Sequence, residues 1–325
     1  MNAKTLNWLL EQENPSMRYF TMRYLLSKPE GDSELKATGR VIMSSEPVQK
    51  ILAAQKPEGF WVKAGHGYSP KYQATSWQIL FLAELGADGN DERIRCGCEY
   101  LITHAQSSSG GFSAAYNAAP SGAIHCLNGN LIWALNALGY TSDSRLEHAV
   151  DWMAGSITGE DFAGWNAVIP GPGFSCGANY KLPCAWGAVK ALRALETLPS
   201  AMQTPKVKQA IKTTVEFLFS RDPAKADYPY HERVNGEWFK FGFPLSYTSD
   251  ILELSLALCE AGYGRDPRLK NASDLILSER QPDGRWLLKH SLNGKMWADI
   301  EVKGKPSKWI TLRALRVLKA SGIEM

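Results

Sequence analysis

Four side chains of the kinds that bind zinc stand in two short stretches of the sequence. His125 and Cys126 are adjacent in SGAIHCLNGN, and Cys176 and Cys184 both lie in GFSCGANYKLPCAW. A catalytic zinc takes three protein ligands and keeps one open position. Adjacent residues on a helix point about 100° apart, so His125 and Cys126 could both bind a metal only at a distorted helix start. The sequence therefore allows zinc as a cofactor, with buried thiols and a capping histidine as the alternative.

Other residues have the chemistry of proton transfer. His66 and Tyr68 share GHGYSPKY, where two glycines would bring the backbone close to a ligand, and histidine titrates near neutral pH. Asp250 opens an apolar segment in YTSDILELSLAL, and Asp299 follows Trp297 in MWADIEVKGK. A carboxyl against tryptophan can have a raised pKa and act as a general acid. The predicted acid–base residues are His66, Tyr68, His125, Asp250 and Asp299. The alternatives are a loop histidine bonded to the backbone, a helix-capping aspartate and a solvated loop charge.

Aromatic side chains crowd the same stretches. Such a set would line a cavity for an apolar or flat ligand, or would hold a cation over the ring faces. The alternative is that these rings fill the gaps between helices. The predicted substrate-binding residues are Tyr72, Trp77, Tyr180, Trp186, Phe241, Tyr247, Trp297 and Trp309.

The composition favours a globular protein without a charged macromolecular partner. The 325 residues include 36 basic and 33 acidic side chains, and the net charge of +3 is not typical of nucleic-acid binding. No stretch approaches the roughly 18 apolar residues of a membrane span, and MNAKTLNWLLEQENP lacks the apolar core of a signal peptide. Six cysteines in a chain of this length do not indicate a disulfide framework. We therefore predict a cytoplasmic protein with no nucleic-acid partner and no membrane span, whose oligomeric state the sequence leaves open.

Apolar residues recur at three- and four-residue spacing along most of the chain, which predicts α-helices. Segments such as TSWQILFLAELG are apolar nearly all round, whereas the segments that follow them, such as DERIRCGCEYLITHAQ, are more charged. Four of the apolar segments end in Gly86, Gly139, Gly262 and Gly322, as expected for left-handed C-caps. This alternation predicts about twelve helices arranged as about six hairpins.

The hairpins fit either an open superhelix or a closed ring. Two features favour the ring. The first helix of each pair is apolar all round, as an inner helix would be, and the long aromatic linkers precede these helices. We predict one all-α domain over residues 1–325, an (α/α)6 toroid whose repeats span 46–322 and follow helices without the repeat motif in 1–45. The central cavity would lie at the N-terminal ends of the inner helices, which would place His125 and Cys126 beside it.

Three of the more charged helices run into related sequences: AQKPEGFW, AQSSSGGF and RQPDGRW. The glutamine, glycine and tryptophan of QKPEGFW resemble the repeat of the terpenoid cyclase and protein prenyltransferase superfamily. Glycine allows the tight turn after the helix, the aromatic ring can pack back, and the glutamine amide can bond to the end of the next helix. The resemblance implies an (α/α)6 toroid. That fold is similar to the one in lanthionine cyclases and some polysaccharide lyases, so the fold alone assigns no activity.

The resemblance also bears on the candidate residues. Protein prenyltransferases hold a cavity zinc with Asp, Cys and His, and lanthionine cyclases use two Cys and one His. By this resemblance, the predicted metal ligands of this sequence are His125, Cys126, Cys176 and Cys184. Class II terpene cyclases protonate an alkene from an Asp-x-Asp-Asp motif. Asp250 matches the last aspartate of that motif, whereas Ser249 stands at the proton-donor position.

These observations lead to three predictions of function. The leading one is an enzyme that resembles terpenoid cyclases and prenyltransferases and acts by acid–base chemistry on an apolar, isoprenoid-like substrate. The second is a zinc-assisted transferase or cyclase with Cys and His ligands. The third is a non-catalytic toroid that binds a hydrophobic ligand or a peptide.

Overall fold

The fold is described by a computed structural model that covers residues 3–160, 173–230 and 235–324. Within these residues the chain is almost entirely helical. The α-helices are α1 (Ala3–Leu9), α2 (Pro15–Tyr24), α3 (Ser33–Ile42), α4 (Glu46–Ala53), α5 (Thr75–Glu84), α6 (Glu92–Ala105), α7 (His125–Ala137), α8 (Ser144–Thr158), α9 (Ala185–Glu196), α10 (Pro205–Phe219), α11 (Ile251–Leu258), α12 (Lys270–Ser278) and α13 (Lys308–Ala320).

Short elements connect these helices. A π-helical turn, Cys259–Tyr263, continues α11, and two-residue strands β1 (Trp286–Leu287) and β2 (Pro306–Ser307) pair antiparallel ahead of α13. The 3-10 turns are Tyr116–Ala118, Pro120–Gly122, Gly177–Asn179, Ser200–Met202, Gly236–Phe239 and Pro267–Leu269.

The helices form two concentric layers. The inner layer is a ring in which α5, α7, α9, α11 and α13 pack in sequence and α13 packs on α2. The Phe20 ring of α2 closes the circle, because it lies 5.9 Å from the Trp309 ring of α13 and against Gly86 at the end of α5. The outer layer contains α1, α4 with α3, α6, α8, α10 and α12. The predicted all-α (α/α)6 toroid is confirmed, and α2, from the region without the repeat motif, completes its inner ring.

Most residues of the inner helices α5, α7, α9, α11 and α13 are buried, as the sequence predicts. Every residue of α5 is buried, whereas α6, which follows it, keeps a polar face in solvent. The four predicted cap glycines all have left-handed backbone, with φ of +75°, +90°, +91° and +72°. Within the described ranges, no helix combines the length and apolarity needed to cross a membrane.

The glutamine motifs tie neighbouring outer helices together. Gln55 Nε2 donates to the Gly59 carbonyl at 3.1 Å and to the Arg93 carbonyl of α6 at 2.8 Å. Gln106 repeats this pattern, donating at 2.6 Å to the first turn of α8. The indole of Trp61 packs back and donates to Ile51 at 2.7 Å. The motif therefore joins the turn after one outer helix to the start of the next.

Gly129 sets the spacing between α7 and α9. A Cβ at this position would lie 2.5 Å from the Lys190 carbonyl carbon and oxygen, so the two backbones touch where α7 has no side chain. We expect Gly129→Ala to lower the free energy of unfolding by about 1–3 kcal/mol, because the helices must separate. Urea denaturation would measure this loss. The control is Gly31→Ala, whose Cβ meets no atom within 4 Å; equal losses in both variants would contradict the close approach.

Candidate functional site

The loops that enter the inner helices meet at one end of the ring, the N-terminal face. Five aromatic side chains, from the loops before α5 and α11 and from the first turns of α5 and α9, form a continuous cluster, here called the aromatic surface: Tyr68, Tyr72, Trp77, Trp186 and Tyr247. Trp77 lies at its centre, with ring centroids 5.1 Å from Tyr72, 5.3 Å from Tyr68 and 6.3 Å from Tyr247. Trp186 lies 6.2 Å from Tyr247. All but Trp77 are partly exposed, so the cluster presents ring area to a ligand.

The aromatic surface has a positive edge and an extension. Lys71 Nζ stands 4.1 Å from the centroid of the Tyr247 ring, a cation–π contact. Trp238 continues the cluster beyond Trp186, at 6.3 Å. Burial raises the pKa of both Tyr68 and Tyr72 above the ordinary phenol value, so both hydroxyls are neutral at physiological pH.

The other four predicted substrate-binding aromatics lie elsewhere. Phe241 and Trp309 are core residues, 1% and 4% exposed, and Trp309 stacks on Phe243 at 3.9 Å. Tyr180 is 76% exposed at a loop tip. Trp297 is exposed at the rim and donates to the Gln73 carbonyl at 3.0 Å. All eight were predicted to share one cavity because they lie just before or at the start of inner helices. Side chains in such loops can instead fill the core or face solvent, as these four do.

His125 lies between the two helical layers. Its Nε2 is 3.0 Å from Ser156 Oγ of α8, and its ring packs 5.3 Å from Phe174 and 5.9 Å from Trp152. Only 3% of the residue is exposed, and burial lowers its pKa to about 4. The predicted position of His125 beside the cavity is therefore wrong. The first turn of α7 rotates the imidazole toward the outer layer, where a neutral ring fits.

The three predicted thiol ligands remain near the N-terminal face. The neighbouring Cys184 thiol lowers the pKa of Cys176 to about 6, and the Cys176 thiol and burial raise the pKa of Cys184. Burial raises the pKa of Cys126 to about 12. Among the described residues, no three His, Cys, Asp or Glu side chains stand close enough together to hold a metal ion. The residues predicted as a zinc site, His125, Cys126, Cys176 and Cys184, therefore do not form one in this arrangement.

Asp250 caps α11. Its Oδ1 accepts from the Glu253 N–H at 2.8 Å and its Oδ2 accepts from the Gly242 N–H at 2.9 Å. The side chain is 6% exposed, and burial raises its pKa to about 6 despite these two hydrogen bonds. The carboxyl thus acts as a helix cap and also titrates close to neutral pH.

A histidine and a glutamate that the sequence did not single out stand next to Asp250. His290 Nδ1 is 2.9 Å from Glu237 Oε2, and both side chains line a small pocket with Asp250 and Ser249. The Ser249 hydroxyl is buried and has no hydrogen-bond partner in the described part of the chain. His290 is 40 residues from Asp250 in sequence, and no local motif links the two. Only the packing of the loop before α13 against the loop before α11 brings them together.

The remaining acid–base candidates lie in loops. His66 Nδ1 accepts from the Tyr68 N–H at 3.4 Å, and burial, with Lys63 nearby, lowers the pKa of His66. Asp299 is exposed and accepts from the Gly294 N–H at 2.8 Å, so it orders its own loop. Its near neighbour Trp297 donates instead to the Gln73 carbonyl at the rim.

The centre of the ring contains charge rather than an aromatic cavity. Glu84, Lys190, Arg193, Glu253 and Arg313, here called the central ion cluster, project inward from four inner helices. Lys190 Nζ is 2.6 Å from both Glu253 oxygens, and Glu84 binds Arg193 at 2.6 Å and Arg313 at 2.7 Å. The available signal was charge within otherwise apolar segments, with Glu253 in ILELSLAL and both Lys190 and Arg193 in AWGAVKALRAL.

The larger opening lies at the opposite end of the ring from the one predicted. A chamber of about 100 Å³ above the central ion cluster leads to an open cleft of about 990 Å³ among the C-terminal ends of the inner helices. Trp133 and Phe20 line both spaces, and Arg316 pairs with Glu260 at their junction. Burial and Glu260 raise the pKa of Glu196 in this cleft to about 9. Two small pockets, of about 20 and 30 Å³, lie beside the aromatic surface on the N-terminal face.

Comparison with known proteins gives structural similarities at low identity. No family model matches this sequence, and no curated protein matches it. The chain is similar to the type II terpene cyclase MstE from Scytonema, with 17% identity over 95% of this chain and 88% of that chain and a TM-score of 0.47. A complex of that cyclase with geranylgeranyl dihydroxybenzoate gives 15% identity over 99% of both chains and a TM-score of 0.45. A family 88 glycosyl hydrolase from Bacteroides vulgatus gives 12% identity over 96% and 90% of the two chains and a TM-score of 0.48.

Proposed function

We propose that this chain is an enzyme that binds an apolar, isoprenoid-like substrate on the aromatic surface and acts on it by proton transfer. The observation that carries the proposal is the continuity of the aromatic surface, in which four partly exposed rings and the buried Trp77 ring, from three separate parts of the chain, lie beside one another. Ring faces of this kind bind hydrocarbon chains by area burial and stabilise positive charge that develops on them. An apolar substrate that passes through a cationic state would use both properties.

Asp250 is the proposed proton donor. It stands three residues after Tyr247 of the aromatic surface, and a pKa of about 6 leaves it a substantial protonated fraction near neutral pH. His290 and Glu237 line the same pocket and would return the proton after each cycle. His66 and Tyr68 stay secondary candidates at the far side of the surface, and Asp299 stays a candidate from the sequence alone.

Substitution at each end of the ring tests where the substrate binds. We expect Trp186→Leu to weaken binding of a linear isoprenoid alcohol about tenfold, because a large ring contact is lost. Quenching of the remaining tryptophan fluorescence would measure this affinity. The matched variant is Trp133→Leu, which removes a ring from the C-terminal chamber and should leave affinity unchanged. The reverse pattern would place the ligand in the C-terminal cleft and contradict the proposal.

Turnover needs its own test. Linear isoprenoids of increasing length, as hydrocarbons, alcohols and diphosphates, would be incubated with the protein, and the products would be separated by chromatography before their masses are measured. We expect an isomer of one substrate, since proton-initiated cyclisation conserves mass. Saturable binding at the aromatic surface without any product would instead favour the non-catalytic ligand-binding protein.

A further inference from the structure

The exposed apolar side chains of this protein are concentrated at the N-terminal face. Of the nine large hydrophobic side chains exposed in the described residues, seven lie in the loops that lead into α5, α7, α9, α11 and α13, and each of the five loops carries at least one. The other two are Leu26, after α2, and Val41, in α3. Single exposed hydrophobic residues are ordinary, whereas a set gathered on one face indicates a surface that binds a partner.

The aromatic members of this set have the chemistry of residues that contact lipid. Antiparallel bridges close the loops 113–123 and 175–183, in which Tyr116 is 81% exposed and Tyr180 is 76% exposed. The Trp297 indole, 38% exposed, donates to a backbone carbonyl at the rim. Tyrosine and tryptophan concentrate at the boundary between lipid and water, because the ring enters the apolar region while its polar atom stays hydrated. These rings therefore suit a lipid surface.

A lysine directly follows an exposed apolar residue in four of the five loops. The pairs are Val62 with Lys63, Tyr180 with Lys181, Phe239 with Lys240 and Val302 with Lys303, and both members of each pair are exposed. A lysine keeps its charge at the polar boundary while its methylene chain lies along apolar surface. Ten basic and five acidic side chains are exposed in the described parts of these loops. The face thus combines apolar tips with an excess of positive charge, although the whole chain is nearly balanced at +3.

We propose that the N-terminal face is a docking surface for a bilayer that contains anionic phospholipids. The apolar tips enter the headgroup boundary, and the lysines lie at the level of the lipid phosphates. No membrane-spanning helix is needed, because only side chains at the ends of loops enter the lipid. Charge favours this partner over a second copy of the chain, since a symmetric contact would bring the same lysines face to face.

The aromatic surface lies among the same loops. An apolar ligand dissolved in the bilayer would therefore reach Trp186 and Tyr247 without crossing water. This consequence rests on the proposed function, whereas the contact with the membrane does not. Lipid binding is measured with no isoprenoid present, so failure of one proposal is distinguishable from failure of the other.

The test is co-sedimentation of the full chain with vesicles of phosphatidylcholine alone or mixed with phosphatidylserine. We expect binding to the mixed vesicles to be about tenfold stronger or more, because each lysine near an anionic surface contributes about 1 kcal/mol. The preference should shrink as the salt concentration rises, since salt screens the lysines. The double variant Lys181→Gln, Lys303→Gln should weaken binding to the mixed vesicles about fivefold for each charge removed.

The double variant Tyr116→Ser, Tyr180→Ser tests the apolar contribution. We expect it to weaken binding to the mixed vesicles about tenfold, because two rings no longer enter the lipid. The matched control is Leu26→Ser, which removes an exposed hydrophobic side chain at the C-terminal end of α2 and should bind as the unsubstituted protein does.

Three results would overturn the proposal. The first is no binding of the unsubstituted protein to the mixed vesicles, and the second is equal binding to both kinds of vesicle. The third is a dimer in sedimentation velocity that Tyr116→Ser, Tyr180→Ser dissociates, which would assign the face to a second copy of the chain. The unsubstituted protein is measured first, so a variant that failed to fold would not remove the test.

Discussion

Lys190→Met is expected to lower the free energy of unfolding by about 3–5 kcal/mol, the usual loss when one partner of a buried ion pair is removed. Lys190 is fully buried and its ammonium lies 2.6 Å from both oxygens of Glu253, which is 3% exposed. Without this cation the nearest counter-charge to the Glu253 carboxylate in the central ion cluster is Arg193, 3.9 Å away. Methionine has a similar shape to lysine, so the loss would come from charge and not from a cavity. Urea denaturation would measure it.

The double variant Lys190→Met, Glu253→Met distinguishes the contribution of the ion pair from the cost of leaving one buried charge unpaired. Removing both charges leaves Glu84 still paired with Arg193 and Arg313, so we expect most of the stability to return. Lys270→Met is the surface control, since Lys270 pairs with Asp274 in solvent and such pairs contribute little. If Lys190→Met lowered the free energy of unfolding by less than about 1 kcal/mol, Lys190 would not be required to stabilise the buried Glu253 carboxylate.

Asp250→Asn is expected to reduce turnover of the isoprenoid substrate about 100-fold or more, the usual effect of removing a general acid. Asparagine is itself a good N-cap, and its carbonyl can still accept from the Glu253 N–H, so α11 should keep its start. Substrate affinity should stay within about twofold, because the aromatic surface is unchanged. Product formation and tryptophan quenching, measured on the same preparation, would separate the two effects.

The pH profile gives the same assignment a second test. Turnover by the unmodified protein should fall as the pH rises through about 6, the pKa of Asp250, because only the protonated carboxyl donates. Stability should fall over the same rise, since the folded-state pKa lies above the unfolded value of about 3.9 and ionisation is opposed by burial. The control is Asp32→Asn, which changes the same type of cap on α3 far from the aromatic surface. If Asp32→Asn lost as much turnover, capping and not proton donation would explain the result.

The elements of this protein follow from local patterns in its sequence. Apolar spacing, cap glycines such as Gly139 and the glutamine–glycine–aromatic turns all act over a few residues, and each leaves a periodic or positional mark. The alternation of fully apolar and half-polar helices also predicts two layers. For these reasons the sequence alone predicts the toroid and its inner and outer helices. It also allows the helix-capping role of Asp250 to be inferred.

Which side chains meet was decided by the tertiary structure. His125 and Cys126 are neighbours on α7, yet His125 faces the outer layer, because the 100° step of the helix separates adjacent side chains. An inner helix is apolar nearly all round, so its apolar pattern does not show which face points to the ring axis. Arg313 and Glu84 are 229 residues apart, and their contact exists only because the ring closes. The sequence by itself determined the helices and their layers, whereas ring closure determined the central ion cluster, the aromatic surface and the position of the open cleft.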